Sequence, residues 1–117
     1  MDTVEGLVTQ DFTDCPVERT VRVIGGRWKP VILYQLRAGS CRFNALRRQI
    51  PGVTQRMLTQ HLRELEADGI ISRHIHAVVP PRVDYALTPM GQSLMPVMEA
   101  MAAWGAANPA PQAEVAA

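Results

Sequence analysis

"TQRMLTQHLRELEADG" (residues 54–69) reads as one amphipathic helix with its own start and stop. Thr54 is a natural N-cap, because its side-chain oxygen can accept from a first-turn amide, and Gly69 suits a helix end. Met57, Leu58, Leu62 and Leu65 recur at helical spacing and must face a core. Arg56, Thr59, Gln60 and Arg63 follow i, i+3, i+4, i+7 on the opposite face. Each carries a hydrogen-bond donor and none is an acid. The charges also run against the helix dipole, since the acids Glu64, Glu66 and Asp68 come last. That reversal costs roughly 0.3 kcal/mol or more per exposed charge. It makes sense if the N-terminal half meets an anion. Arginine binds guanine bidentately, glutamine binds adenine, and threonine meets a phosphate or a thymine methyl. Gln55 and the free amides near Thr54 would add phosphate contacts.

Working outward, Phe43 to Ile50 predicts a short third helix with Leu46 and Ile50 inward, joined to the fourth by the turn "PGV". A helix, a short turn and a second helix form a helix-turn-helix. After Gly69 the period changes. In "IISRHIHAVV", Ile71, Arg73 and Ile75 alternate with Ser72, His74 and His76. In "RVDYAL", Val83, Tyr85 and Leu87 alternate with Asp84 and Ala86. Two such runs around a proline turn predict a β-hairpin, which makes the motif winged. Upstream, Cys15 as N-cap, Pro16 in the first turn and Glu18 at the third position open a first helix that Gly25-Gly26 ends. A second helix starts near Pro30 and runs to Gly39, and "SCRF" leaves room for a stub strand. Thr88-Pro89 opens a last helix, which Pro96 should kink or truly start. The fold class is therefore mainly α with a small β-hairpin. Residues 1–13 read as a flexible arm, 14–106 as the folded domain and 107–117 as a disordered tail.

Across its 117 residues the chain has a net charge of only +1. The distribution is sharper than the total. Residues 19–63 hold ten Lys/Arg and no acid, and residues 1–18 hold five acids and no base. A block of that kind is a local positive field suited to nucleic acid. Within it Arg47 and Arg48 would flank the groove and meet phosphates; outside it, Arg82 at the hairpin tip beside the two prolines is placed to reach the backbone or a minor groove. Arg73 has two readings, DNA contact or an ion pair with Asp84. No apolar run approaches membrane-span length and the N-terminus has no hydrophobic signal core, so the expectation is a cytoplasmic protein, on the nucleoid when bound, with no membrane partner.

"CPVERTVRVIGGRWKPVIL", "RFNALRRQIPGVTQRMLTQHLRELEADGIISR" and "PPRVDYALTPMGQSLMPVMEAMAAW" together resemble the HxlR-type bacterial transcriptional regulators, within the MarR-like winged-helix group. The resemblance covers about residues 14–105. It implies a homodimeric repressor on a pseudo-palindromic double-stranded operator, with dimerisation through the N- and C-terminal helices, the fourth helix in the major groove and the wing beside it. Thr54, Gln55, Arg56, Thr59 and Gln60 match the family's reading face, and Trp28 and Tyr85 match core positions. The dimer also has a physical basis, because one half-site buries too little for specific affinity. Val17, Val21, Leu94, Val97, Met98, Met101 and Trp104 are the apolar residues expected at that interface, unless one intramolecular core absorbs them.

Cys15 matches a near-N-terminal cysteine that several members of the family use to sense electrophiles or oxidants. Its local physics cuts both ways: helix amides and Arg19 favour the thiolate, while Asp14 and Glu18 oppose it. The alternative is a cysteine that only caps or packs. Cys15–Cys15′ or Cys15–Cys41′ would be the simplest bridges. His74 and His76 share a strand face without an evident third ligand, so no metal site is expected, and no cofactor. The residues offer no nucleophile with base and orienter and no phosphate loop; Gly25-Gly26 is a helix stop. An enzyme is therefore not expected. The competing function is a winged-helix protein-interaction module without sequence-specific DNA binding, against which the basic block speaks.

Overall fold

The computed structural model describes residues 15–111, so the expected arm over 1–13 and residues 112–117 of the expected tail lie outside the described residues. The elements are α1 (Pro16–Ile24), α2 (Lys29–Gln35), β1 (Cys41–Arg42), α3 (Phe43–Gln49), α4 (Gln55–Ala67), β2 (Ile71–His76), β3 (Arg82–Leu87), α5 (Pro89–Gln92) and α6 (Met95–Ala107). A 3-10 turn over Leu36–Ala38 carries α2 on to Gly39. The three-helix start, the helix-turn-helix and the hairpin all follow the sequence expectation. The stub strand does more than expected: β1 pairs with β3, giving an antiparallel sheet in the order β1-β3-β2. Tyr85 lies opposite Arg73 on one side and Cys41 on the other.

The core is assembled from one face of each element. Ile32 and Leu33 of α2, Leu46 of α3, and Leu58, Leu62 and Leu65 of α4 are fully buried, with Ile50, Ile70, Ile71 and Tyr85 around them. Each such leucine contributes about 1.5–3 kcal/mol of burial, which fixes α4 against α2 and α3 and turns its other face outward. Its ends are as expected. Thr54 Oγ1 accepts from the Met57 amide at 3.1 Å. At the far end Gly69 (φ 78°) donates to Glu66 O and Ile70 donates to Leu65 O, both at 3.0 Å. This is a Schellman closure, with Ile70 and Leu65 both in the core, and the left-handed φ is what demands glycine.

Thr88 ties the exit of the hairpin to its entry. Its hydroxyl lies 2.6 Å from Gly69 O and 3.0 Å from Ile70 O, and it accepts from the Gly91 amide at 3.1 Å. A Cβ on Gly91 would run into the Ile70 carbonyl, a backbone atom that cannot swing away. Gly91→Ala is expected to destabilise the protein by about 1–3 kcal/mol, read as a lower urea midpoint at unchanged m-value; an unaltered midpoint would show that the junction is loose.

Several expectations are refined or corrected. The C-terminal segment is two helices, α5 and α6, and of the two readings of Pro96 the true start holds: it stands in the first turn of α6, where its missing N–H costs nothing. Cys15 occupies the N-cap of α1, with Pro16 and Glu18 in its first turn, as expected, though the Cys15 side chain makes no capping hydrogen bond and Glu18 takes Arg22 at 2.8 Å. Met98 is only 2% exposed, so it belongs to the protomer core and cannot face a partner. Leu94 likewise packs against that core. Arg73 does not pair with Asp84, because opposite strand parity turns the two to different faces; it lies 3.6 Å from Glu66 of α4.

Candidate nucleic-acid interface

The outward face of α4 is the donor-rich surface expected. Gln55, Arg56, Thr59, Gln60 and Arg63 line one open furrow together with Glu64. Leu58, Leu62 and Leu65 on the opposite side anchor it, so the side chains on this face start from a rigid backbone. Thr54 uses its hydroxyl as the cap, which leaves it less free for a ligand. Arg47 of α3 reaches across the turn to 3.5 Å from Gln55 Oε1, linking the two helices of the motif. Arg48 is exposed beside it.

Nine of the twelve cations fall into two sets. Arg22, Lys29, Arg73 and Arg82 are each held by a carboxylate within the protomer. Arg42, Arg47, Arg48, Arg56 and Arg63 are exposed and have no carboxylate partner among the described residues. Arg19, Arg27 and Arg37 also lack a carboxylate partner among the described residues, Arg27 lying over the Trp28 ring and Arg37 over the Tyr34 ring, so β1, α3 and α4 hold five of the eight unpaired arginines. The local field read from the sequence is thus concentrated on the helix-turn-helix. Arg42 was missed as a phosphate candidate; its place in the acid-free block was the available signal. It lines a cleft with Asn44 and the wing loop Val78–Val83.

The wing differs from expectation. Arg82 is drawn back into the hairpin, with Nε 3.5 Å from Asp84 Oδ1 and Nη2 3.2 Å from His76 Nε2. His76 Nε2 also lies 2.9 Å from Asp84 Oδ2, and the His74 ring stands edge-on to His76 at 4.7 Å. The tip ahead of Arg82 is uncharged, and Val79 there is 99% exposed.

The late acids of α4 are mostly spoken for. Lys29 donates to Glu64 Oε1 at 2.8 Å, and Glu66 faces Arg73. The Lys29 hydrogen bond, then that of Gln60, holds the Glu64 carboxyl below its ordinary pKa. A lowered folded pKa stabilises the fold above the unfolded value of about 4.3 and is lost as pH falls through the folded value. The melting temperature of Glu64→Gln should therefore drop less steeply than that of the parent chain between about pH 5 and pH 3; parallel acid limbs would show that the pair contributes nothing.

Cys41 sits on β1 with Sγ 4.0 Å from Gln49 Oε1. Burial, followed by the Asp84 charge, pushes its thiol pKa up, and Arg48 only partly opposes this. A raised pKa keeps the Cys41 thiol protonated and lowers its reactivity as a nucleophile.

A fixed helix-turn-helix, a wing and a donor-rich face with one tethered acid, Glu64, define a DNA-binding transcriptional regulator. The chain belongs to the HxlR-like helix-turn-helix family, whose model matches residues 23–113. The HTH-type transcriptional regulator YdeP of Bacillus subtilis (strain 168) is 52% identical over 97 residues, 83% of this chain and 76% of that one. The solved structure of the redox regulator HypR in its oxidized form has a TM-score of 0.80 and 50% identity, covering 83% of this chain and 100% of that one. The reduced form of the transcriptional regulator YodB from B. subtilis has a TM-score of 0.69 and 36% identity, covering 78% and 90% of the two chains. Among the described residues no helix is long and apolar enough to cross a membrane.

Proposed function

We propose that this regulator acts as a homodimeric repressor on a pseudo-palindromic operator in double-stranded DNA. In this reading α4 of each protomer enters the major groove. Arg56, Thr59, Gln60 and Arg63 read base edges, Gln55 and the amides near Thr54 meet phosphate, and Arg42, Arg47 and Arg48 bind the backbone on either side. Arg82 reaches phosphate only by leaving Asp84, so the wing's contribution is secondary. The observation that carries the proposal is the exposed arginine set on α3 and α4, unpaired within the described protomer and set beside neutral donors. Affinity for operator DNA should fall with salt. Six phosphate contacts from Arg42, Arg47 and Arg48 of two protomers give a slope of log K against log[salt] of about −5. A slope near zero would remove DNA as the ligand.

The partner surface is the apolar face of α1 and α6. Val17 is 70% exposed, Val21 54% and Trp104 69%, and Val97 and Met101 join them. Val17, Val21, Val97 and Met101 border one apolar groove between the two helices. An apolar face of this extent on a DNA-binding protomer suits a second copy, which also supplies the second half-site.

Cys15, at the start of α1 and half-buried, gives this assembly a candidate oxidation switch, supported by the likeness to the redox regulator HypR. Two Cys15 thiols, one per protomer, would lose two electrons and two protons to diamide and form one intersubunit disulfide. Diamide should then release operator from the parent chain and leave a Cys15→Ser variant bound; release from both would remove Cys15 from the switch.

A further inference from the structure

Glu64 stands out on the donor face. It is the one acid lining the furrow formed by Gln55, Arg56, Thr59, Gln60 and Arg63, where a carboxylate opposes DNA unless it has a task. It is fixed from two directions. Lys29 of α2 donates to Oε1 at 2.8 Å, and the Lys29 side chain is only 12% exposed, so this tether reaches from the protomer interior. Gln60, one turn earlier on α4, donates its Nε2 amide to Oε2 at 3.3 Å. His61 Nδ1, buried and without a hydrogen bond, lies 3.6 Å from Oε1 on the inner side.

We infer that Glu64, anchored by Lys29, is a positioning residue for base reading: it fixes the amide of Gln60 with its carbonyl outward, so that Gln60 selects an amino-bearing base, adenine or cytosine, over guanine. The inference rests on the proposed entry of α4 into the major groove.

The reasoning is one of forced orientation. A glutamine amide has a carbonyl that accepts and an NH2 that donates twice, and a free side chain can present either end. An ionised carboxylate only accepts. Beside Glu64 the amide must turn its nitrogen inward, because the flipped form would set Oε1 against a carboxylate oxygen. One N–H is then committed to Glu64. The outward group is Oε1, with the second N–H beside it. That pair matches adenine, whose N6 amino group donates and whose N7 accepts, and Oε1 alone matches the N4 amino group of cytosine. Guanine offers two acceptors, O6 and N7, on the same edge. Gln60 could give guanine only its second N–H, which leaves Oε1 against the other acceptor; to offer both N–H groups it would have to turn Oε1 back onto Glu64. The carboxylate thus acts through Gln60, adding a repulsive element against the wrong base as well as orienting the right contact. Lys29 is needed because it holds Glu64 in place and offsets part of its charge near DNA.

The test uses the full chain and sites enriched from a randomised duplex library, followed by affinities for duplexes permuted at every position. The parent chain should show a position in each half-site where adenine or cytosine is preferred to guanine by about tenfold. Gln60→Ala should flatten that position and so assign it. Glu64→Gln, whose amide can accept or donate, should flatten the same position to within about twofold by admitting guanine, while affinity for random DNA is held or rises. Glu64→Asp, one methylene too short to reach Gln60, should do likewise and serves if Glu64→Gln folds poorly, with thermal melts run on every variant. Preserved discrimination in both Glu64 variants, where Gln60→Ala removes it, would overturn the inference and leave the groove reading standing. A Gln60→Ala variant that flattens no position would overturn it too, since Gln60 would then read nothing. If the parent chain enriches no site at all, the groove reading fails as well.

Discussion

Arg56→Ala is expected to weaken operator binding at least about 30-fold and to relax sequence preference at one position in each half-site. Arg56 stands in the first turn of α4, exposed, with no carboxylate partner among the described residues. A bidentate arginine–guanine contact contributes about 1–3 kcal/mol of discrimination. Two protomers lose it together, so the loss is roughly 2–6 kcal/mol per dimer. Arg48→Ala removes a charge of the same sign from α3, but a phosphate contact carries no base information. It should weaken specific and random duplexes alike and make the salt slope shallower. Competition binding against both kinds of duplex separates the two roles. Equal loss on specific and random DNA for Arg56→Ala would assign it to the backbone.

Val21→Asp should abolish the dimer without unfolding the protomer. The side chain is 54% exposed on α1, and exposed positions of that kind usually tolerate substitution within about 0.5 kcal/mol. At a two-fold interface the new carboxylate would be buried near its own copy, where desolvation and like charge act together. Sedimentation should give a monomer at concentrations where the parent chain is a dimer, and the far-UV spectrum should be unchanged. Operator affinity should fall on the order of a thousandfold, towards the level of non-specific binding. A monomeric parent chain, or a dimeric variant with full affinity, would move the interface elsewhere.

What could be read from residues alone follows physical locality. The caps and core stripe of α4 are set within a few residues, so Thr54, Leu58, Leu62, Leu65 and Gly69 all sit where their chemistry put them. The pairing of β1 with β3 joins positions some forty residues apart, and a two-residue strand has no periodic signal of its own. Periodicity places Met98 in the apolar stripe of α6 but does not say which part of that stripe α2 covers. Arg82 and Arg73 were harder still, since the sequence places a charge without its partner; Asp84 and Glu66 claim them only once the hairpin closes. The odd charge order of residues 54–69 had half its reason in view. The donors come early for a ligand, but Glu64 is not removed from that face: it lines it, tethered to Lys29.

Dimethyl sulfate protection on an enriched operator bears most directly on the placement of α4. The reagent marks guanine N7 in the major groove and adenine N3 in the minor groove, so it reports which groove the protein occupies. Two clusters of protected guanine N7, related by a two-fold axis and centred about one helical turn (~10 base pairs) or a multiple apart, with the protection lost in Arg56→Ala, is the expected result. Reactive guanine N7 throughout the bound site, with protection confined to adenine N3, would contradict it.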